Sequence, residues 1–267
     1  MSNTEDEVTE LEKSSLVRAK IRAEPLLPAQ TVNSIHVPKK LITRSNTIRV
    51  ALYGTGGHSS VVASVLSNLN LKIHARYDDD PARHIAVVDG ISVEPGAKTY
   101  GQSGFVISNM QCTICIGNNA ERKFLSQRLQ CDYLTLIDPS AIVSETSVIN
   151  YGTVVIHRAI IQANSIIGRH VIINSGASVD HDNTVCDFAH ISTNATLCGD
   201  VNIGEGALIG AGAILLPQIS VGKWSTIGAG AVVTKDVPNY CTVVGNPARI
   251  IKTTHSYPLS YGSSFYN

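Results

Sequence analysis

The chain has 267 residues, enough for one or two domains with their own cores. Lys plus Arg and Asp plus Glu stand at 21 each, so no basic excess points to nucleic acid as a partner. No apolar run approaches the roughly 20 residues of a membrane span, and the stretch from Met1 to Lys20 lacks an apolar core, so neither a span nor a signal peptide is expected and the cytoplasm is the expected location.

Residues 1–46 are polar and of mixed charge, and they read as a flexible extension. A short helix over 7–21, with Val8, Leu11 and Leu16 apolar, is the alternative. Residues 47–136 alternate strand, turn and helix. A strand rich in branched residues covers 48–53, and a glycine turn follows at Gly54-Thr55-Gly56-Gly57-His58. A helix is predicted over 59–69, with Val62, Val65, Leu66 and Leu69 on one face. A strand over 71–77 ends at Asp78-Asp79-Asp80-Pro81, another spans 112–116, a helix spans 120–129, and a last short strand spans 133–137. That alternation predicts a small parallel α/β domain of the Rossmann type.

Six cysteines are present, and Cys112 and Cys115 form a C-x-x-C. A redox or zinc motif needs such a pair at a helix start or beside a second pair. Here it falls inside an apolar strand, where the period of two sends the thiols to opposite faces. Both are read as structural.

From Ile137 to Val233 every sixth residue is aliphatic, seventeen in succession. Four residues after each, the side chain is mostly small; among the departures, which include Val171 and Val201, only Asn183 is markedly polar. A period of six fits neither a helix nor an amphipathic strand, but it fits a parallel β-helix built of hexapeptides. The aliphatic residue fills the interior and the small one the narrow corner. Three hexapeptides make a coil, so the repeat makes between five and six coils over a domain of residues 137–252. Residues 253–267 form a polar tail.

Chemistry on such a prism falls to outward positions. His181 is one, and Asp182 follows it directly. A carboxylate beside an imidazole orients the ring and raises its basicity, as a general base needs. His190, nine residues and half a coil on, could border the same cleft but need not. His157, His170 and His190 taken singly read as solvated surface residues. The spacing of the histidines does not suit a three-His zinc site, and no metal is expected.

These motifs together resemble the sugar O-acyltransferase family that holds the sialic acid O-acetyltransferases and the nucleotide-sugar N-acetyltransferases of bacillosamine and perosamine synthesis. The matching segments are Tyr53-Gly54-Thr55-Gly56-Gly57-His58, Tyr77-Asp78-Asp79, Ile116-Gly117-Asn118-Asn119, His181-Asp182, His190-Ile191-Ser192, Leu216-Pro217 and Gly245-Asn246-Pro247-Ala248. The resemblance covers residues 48–252 and implies a left-handed β-helix, an association into homotrimers with active sites between subunits, and acetyl-CoA as co-substrate. It implies His181 as base and Asp182 as its partner, where the family carries Glu. It implies His190, Ala211 and Ala229 as acetyl-CoA contacts and a Gly199 N–H for the oxyanion. Gly56, Gly57, His58, Asp78, Asp79 and Gly117 match the nucleotide-sugar contacts. The activity implied is acetyl transfer to the amine of a nucleotide-linked amino sugar, in the synthesis of cell-surface glycan precursors.

Acetylation of a sugar hydroxyl is the enzymatic alternative, and a hexapeptide scaffold without catalysis the other. Gly54-x-Gly56 with Asp78 downstream also suggests a dinucleotide site. Ser59 replaces its third glycine, however, and a dehydrogenase leaves the repeat unexplained.

Overall fold

The structure, a computed structural model, describes residues 35–36, 48–97, 104–254 and 256. The helix expected over 7–21, the rest of the extension and most of the tail lie outside them. Within the extension, Ile35–His36 (β1) is a strand that pairs antiparallel with Val148–Ile149. This short stretch of the segment expected to be flexible therefore adds a strand to an edge of the prism, whose backbone groups would otherwise lack ladder partners.

The α/β unit holds a six-stranded sheet. Its strands are β2 (Val50–Tyr53), β3 (Ile73–Asp78), β4 (Val87–Val88), β5 (Ile91–Pro95), β6 (Phe105–Ile114) and β7 (Leu129–Tyr133), in the order β4-β5-β3-β2-β6-β7. Strand β2 lies parallel to both β3 and β6, as the alternation predicts. The β4–β5 hairpin was not legible in the pattern. Helix α1 spans Gly57–Asn68 and buries Val62, Val65 and Leu66. Helix α2 spans Asn119–Ser126, and the Asn118 side chain caps it by accepting from the Glu121 N–H at 3.0 Å, a contact worth about 1 kcal/mol. The sequence pattern runs this helix on to 129 and starts the next strand at 133. The structure ends the helix earlier because Leu129 already pairs with Phe105 in the sheet. Cys112 packs with Ala51, Ile114 and Leu125, and Cys115 packs on the other side with Val50 and Leu66. The two thiols thus face opposite cores, as the strand period requires.

The repeat forms a three-faced parallel β-helix. Each two-residue strand pairs with the strand eighteen positions on, as in Leu136↔Val154 and Val154↔Ile172. Face I carries Leu136–Ile137, Val154–Val155, Ile172–Ile173, His190–Ile191, Leu208–Ile209 and Thr226–Ile227. Face II starts at Ile142–Val143 and face III at Val148–Ile149. The second residue of each pair points inward: Val155, Ile173, Ile191, Ile209 and Ile227 are all fully buried in one continuous core. The coils are stitched by backbone bonds between corresponding residues, such as Val154 N–H to Val171 O at 2.9 Å. Corners need left-handed backbone, and one non-Gly series at φ near +60° is Asn164, Asp182, Asp200 and Gln218. Asn and Asp tolerate that region better than most residues.

The α/β unit rides on face I. The outward residues Leu136, Val154 and Ile172 are buried against Val62, Val65, Leu66 and Leu69 of α1. Helix α2 sits on the corner between faces III and I. There Asn119 Nδ2 donates to the carbonyls of Gly206 and Ala207, and Lys123 pairs with Glu205.

Candidate active site

His181 and Asp182 occupy the corner between faces II and III. The His181 Nδ1 lies 2.7 Å from Asp182 Oδ2. That contact makes Nδ1 the protonated nitrogen and leaves the Nε2 lone pair outward. Asp182 is held in turn by Asn164 Nδ2, which donates to its Oδ1 at 3.0 Å from one coil below. The shorter Asp in place of the family's Glu therefore reaches the ring, and it suits the φ of +58° that this corner demands. The hydrogen bond to Asp182 raises the His181 pKa, with added attraction from Asp180 and Asp200; Asp182 is correspondingly lowered. Replacing Asp182 with Asn removes that stabilisation of the imidazolium, so the midpoint of His181 in an NMR titration is expected to fall towards or below the ordinary ~6.5. An unchanged midpoint would show that the pair is not coupled in solution.

Gly199 lies one coil beyond His181 at the same corner. A Cβ built on it would meet His181 Cε1 at 2.6 Å and Nε2 at 2.7 Å. The ring thus lies flat against a backbone that only glycine offers. Beneath the turn is Asn183, the one markedly polar departure from the small-residue series, fully buried. Its Nδ2 donates to Asp180 O at 2.6 Å, and its Oδ1 accepts from the Val201 N–H at 2.8 Å. The buried amide braces the turn that presents His181. Its polarity was the available signal, and it was legible as an exception without a purpose.

His190 lies elsewhere. It is the outward residue of a face I strand, and face I is the face opposite the His181 corner. Within one chain the two histidines therefore do not border one cleft, the possibility that their spacing left open. His190 is half-buried rather than freely solvated. Its ring meets the Gly117 backbone, and Asn174 Nδ2 lies 3.1 Å from Nε2. Burial, then Arg122 and His58, push its pKa down to about 3. His170 is buried as well, stacked on Phe188 at 5.4 Å, with its pKa pushed down to about 3 by burial first. His157 is partly exposed, 3.4 Å from the buried Asp138 and 3.2 Å from Ser64 Oγ.

The glycine turn gathers at the edge of face I. His58, at the start of α1, has an Nε2 buried without a hydrogen-bond partner and a pKa lowered to about 4 by burial and by Arg122. His58, Gly117, Arg122 and His190 thus form one neutral-histidine cluster where the α/β unit meets the prism. Asp78 braces the turn: its Oδ2 accepts from Thr55 N–H at 2.8 Å and from Thr55 Oγ1 at 2.6 Å. Asp79 Oδ1 accepts from the Tyr53 hydroxyl at 2.6 Å. An Asp78 so engaged with its own turn is a poor acceptor for a ribose, which weighs against a dinucleotide site.

Ala211 and Ala229 stack at the corner between faces I and II, one coil apart, with the Gly230 N–H donating to Ala211 O at 2.9 Å. A Cβ on the neighbouring Gly212 or Gly230 would meet nothing within 4 Å. This is an open, side-chain-poor wall adjoining His190, of a kind a pantetheine chain can lie along. Among the described residues no group of three or more His, Cys, Asp or Glu is placed to hold a metal ion. Among them also, no helix is long and apolar enough to cross a membrane.

Two family descriptions match the chain: the PglD N-terminal domain over residues 49–129, and the bacterial transferase hexapeptide (six repeats) over 200–235. UDP-N-acetylbacillosamine N-acetyltransferase of Bacillus subtilis is 41% identical over 107 residues, which is 39% of this chain and 49% of that protein. The match thus spans about half the length of that curated relative. The acetyltransferase domain of PglB from Neisseria gonorrhoeae, solved with acetyl coenzyme A, is 35% identical with a TM-score of 0.69; the match covers 76% of this chain and 98% of that one. A variant of perosamine N-acetyltransferase from Caulobacter crescentus, solved with CoA and GDP-perosamine, is 31% identical with a TM-score of 0.66, covering 75% and 95%. With fold, motifs and near-complete coverage of the two solved relatives in agreement, the chain belongs to the hexapeptide-repeat sugar acyltransferases that carry a PglD-type N-terminal domain.

Proposed function

We propose that the protein transfers an acetyl group from acetyl-CoA to the amine of a nucleotide-linked amino sugar, with His181 as general base. The observation that carries this reading is the exposed His181–Asp182 pair laid over Gly199. A scaffold has no use for that arrangement. The sugar amine would attack the thioester carbonyl while His181 Nε2 accepts the amine proton. The Gly199 N–H would stabilise the developing oxyanion. Collapse expels the CoA thiolate, which takes the proton from the imidazolium, so an amide and free CoA leave together. No metal takes part.

The site is divided between two surfaces of the chain. Face I and its corner with face II carry His190, Ala211, Ala229 and the glycine turn; the opposite corner carries His181 and Gly199. A homotrimer with parallel prisms brings the base of one protomer to the acetyl-CoA wall of the next, in line with closed cyclic symmetry. The nucleotide sugar would lie at Gly56, Gly57, His58 and Gly117, with the diphosphate at the N-terminus of α1 and Asp78 and Asp79 behind the turn. A cytoplasmic location follows from these co-substrates.

The test is thiol release from acetyl-CoA across UDP- and GDP-linked 4-amino sugars, with free sialic acid as the hydroxyl control. Release with one amino sugar is expected. Release with sialic acid alone would replace the amine by a hydroxyl acceptor. Silence from a protein that does not bind CoA would sink the enzymatic reading.

A further inference from the structure

Arg122 is among the largest fully buried side chains of the molecule, at 1% exposure. Its guanidinium points inward from α2 and spends its donors on five backbone carbonyls and one side-chain amide, in two separate parts of the fold. On the α/β side, Nη1 donates to Ile116 O at 2.9 Å and Gly117 O at 3.2 Å, and Nη2 to Asn119 Oδ1 at 2.9 Å. On the prism side, Nε donates to His170 O at 2.8 Å, and Nη2 to Phe188 O at 2.7 Å and Ala189 O at 3.3 Å. One planar group thus joins the turn at Gly117 to two successive coils, and it does so one residue before His190. A lysine cannot copy this, because an ammonium lacks the fixed fork of donors.

We propose that Arg122 is the positioning residue that holds the Ile116–Gly117 turn, and the nucleotide sugar bound there, in register with the wall that carries His190. The inference rests on the placement of the nucleotide sugar given above. The prism is stitched coil to coil and does not depend on Arg122 for its shape, whereas the turn reaches the prism through Arg122 and the contact of Gly117 with His190. Losing the guanidinium therefore loosens the nucleotide-sugar half of the site and leaves the acetyl-CoA half in place. The same charge also faces His58 and His190 and helps to keep both neutral. The groups facing them are Arg122 from α2, the two histidines themselves, Asn174 and the Gly117 backbone.

The experiment compares Arg122→Lys and Arg122→Met with the unaltered full chain on the nucleotide sugar that it turns over. The KM for that sugar is expected to rise tenfold or more, while the dissociation constant for acetyl-CoA stays within about twofold. In Arg122→Met the NMR titration midpoints of His58 and His190 should move up from about 4 and about 3. A folded variant with unchanged nucleotide-sugar KM overturns the proposal. So does a loss of both affinities in proportion to the folded fraction, which is the mark of a merely structural residue. Should neither variant fold, Asn119→Ala takes their place: it removes one guanidinium contact and the bonds to Gly206 and Ala207 but keeps the arginine. A rise of about threefold in nucleotide-sugar KM with unchanged acetyl-CoA binding is then expected, and no rise overturns the proposal. If the unaltered chain is silent with every sugar, the functional reading fails; if it is active and the variants match it, only the role of Arg122 fails.

Discussion

His181→Ala is expected to lower turnover by roughly 10²–10⁴-fold, the usual contribution of a positioned general base. Fold and assembly should not change with it, because the His181 side chain is 58% exposed and its one strong contact is to Asp182, itself at 51%. Thermal unfolding, sedimentation and acetyl-CoA binding are the controls. In the unaltered protein, kcat/KM should rise with pH through a histidine midpoint displaced upward by Asp182, since only the neutral ring accepts a proton. Mixing makes the test sharper. In the homotrimer proposed above, mixing His181→Ala and His190→Ala chains would give some sites in which the intact His181 of one protomer faces the intact His190 of its neighbour. Random 1:1 assembly restores about one site in four, from two parents that are each impaired. Mixtures no more active than their parents would show that each site is built within one chain.

Gly199→Ala is expected to separate activity from stability. The added methyl would sit 2.6 Å from one atom of the His181 ring and 2.7 Å from Nε2, well inside van der Waals contact. The atoms it strikes are the far end of an exposed side chain, so the ring swings aside and the prism does not strain. Stability should stay within about 0.5 kcal/mol, because the group that must give way is an exposed side chain and not backbone. Turnover should fall on the order of 10²-fold, the cost of misplacing a reacting group by about 1 Å. Melting temperature and kcat measured on one preparation decide it; an intact kcat would mean that the base does not work from the position against Gly199. Gly210 is the contrasting position. There a Cβ would meet Ala229 N and Ile227 O, backbone atoms of the next coil that have no freedom to move. A Cβ would thus strike backbone at Gly210 and only a side chain at Gly199, and spacing within the repeat does not distinguish the two.

The legible part of the site was the part made by neighbours in sequence. His181 and Asp182 are adjacent, so their contact is local, and the corner that presents them recurs with the repeat. Asn183 was visible as a polar residue in a series of small ones, and the structure supplies its purpose as a brace under that turn. His190 was found through resemblance, but its surroundings were misread. It is outward in the strand pattern, yet helix α1 covers the three residues stacked before it, Leu136, Val154 and Ile172. Those apolar side chains at outward positions were themselves the available signal that something lies on face I. Arg122 carried no such signal. In the sequence it is one more charge on a short helix, and its burial follows from how that helix seats on the corner.

What the sequence by itself determined is the prism and its chemistry-bearing corner. A period of six sets the inward residues, three hexapeptides set the coil, and adjacency sets the His181–Asp182 pair, because each of these rests on contacts within a few residues or one fixed repeat. Only the tertiary structure decided where the α/β unit sits, which histidines are withdrawn from water, and that His181 and the wall at Ala211 and Ala229 occupy opposite sides of the chain. Those are consequences of docking two bodies, one through the apolar side of α1 and the other through a buried guanidinium. The partners in that docking lie far apart in the chain, 93 residues in the Ser64 to His157 contact, and no local periodicity encodes a separation of that kind.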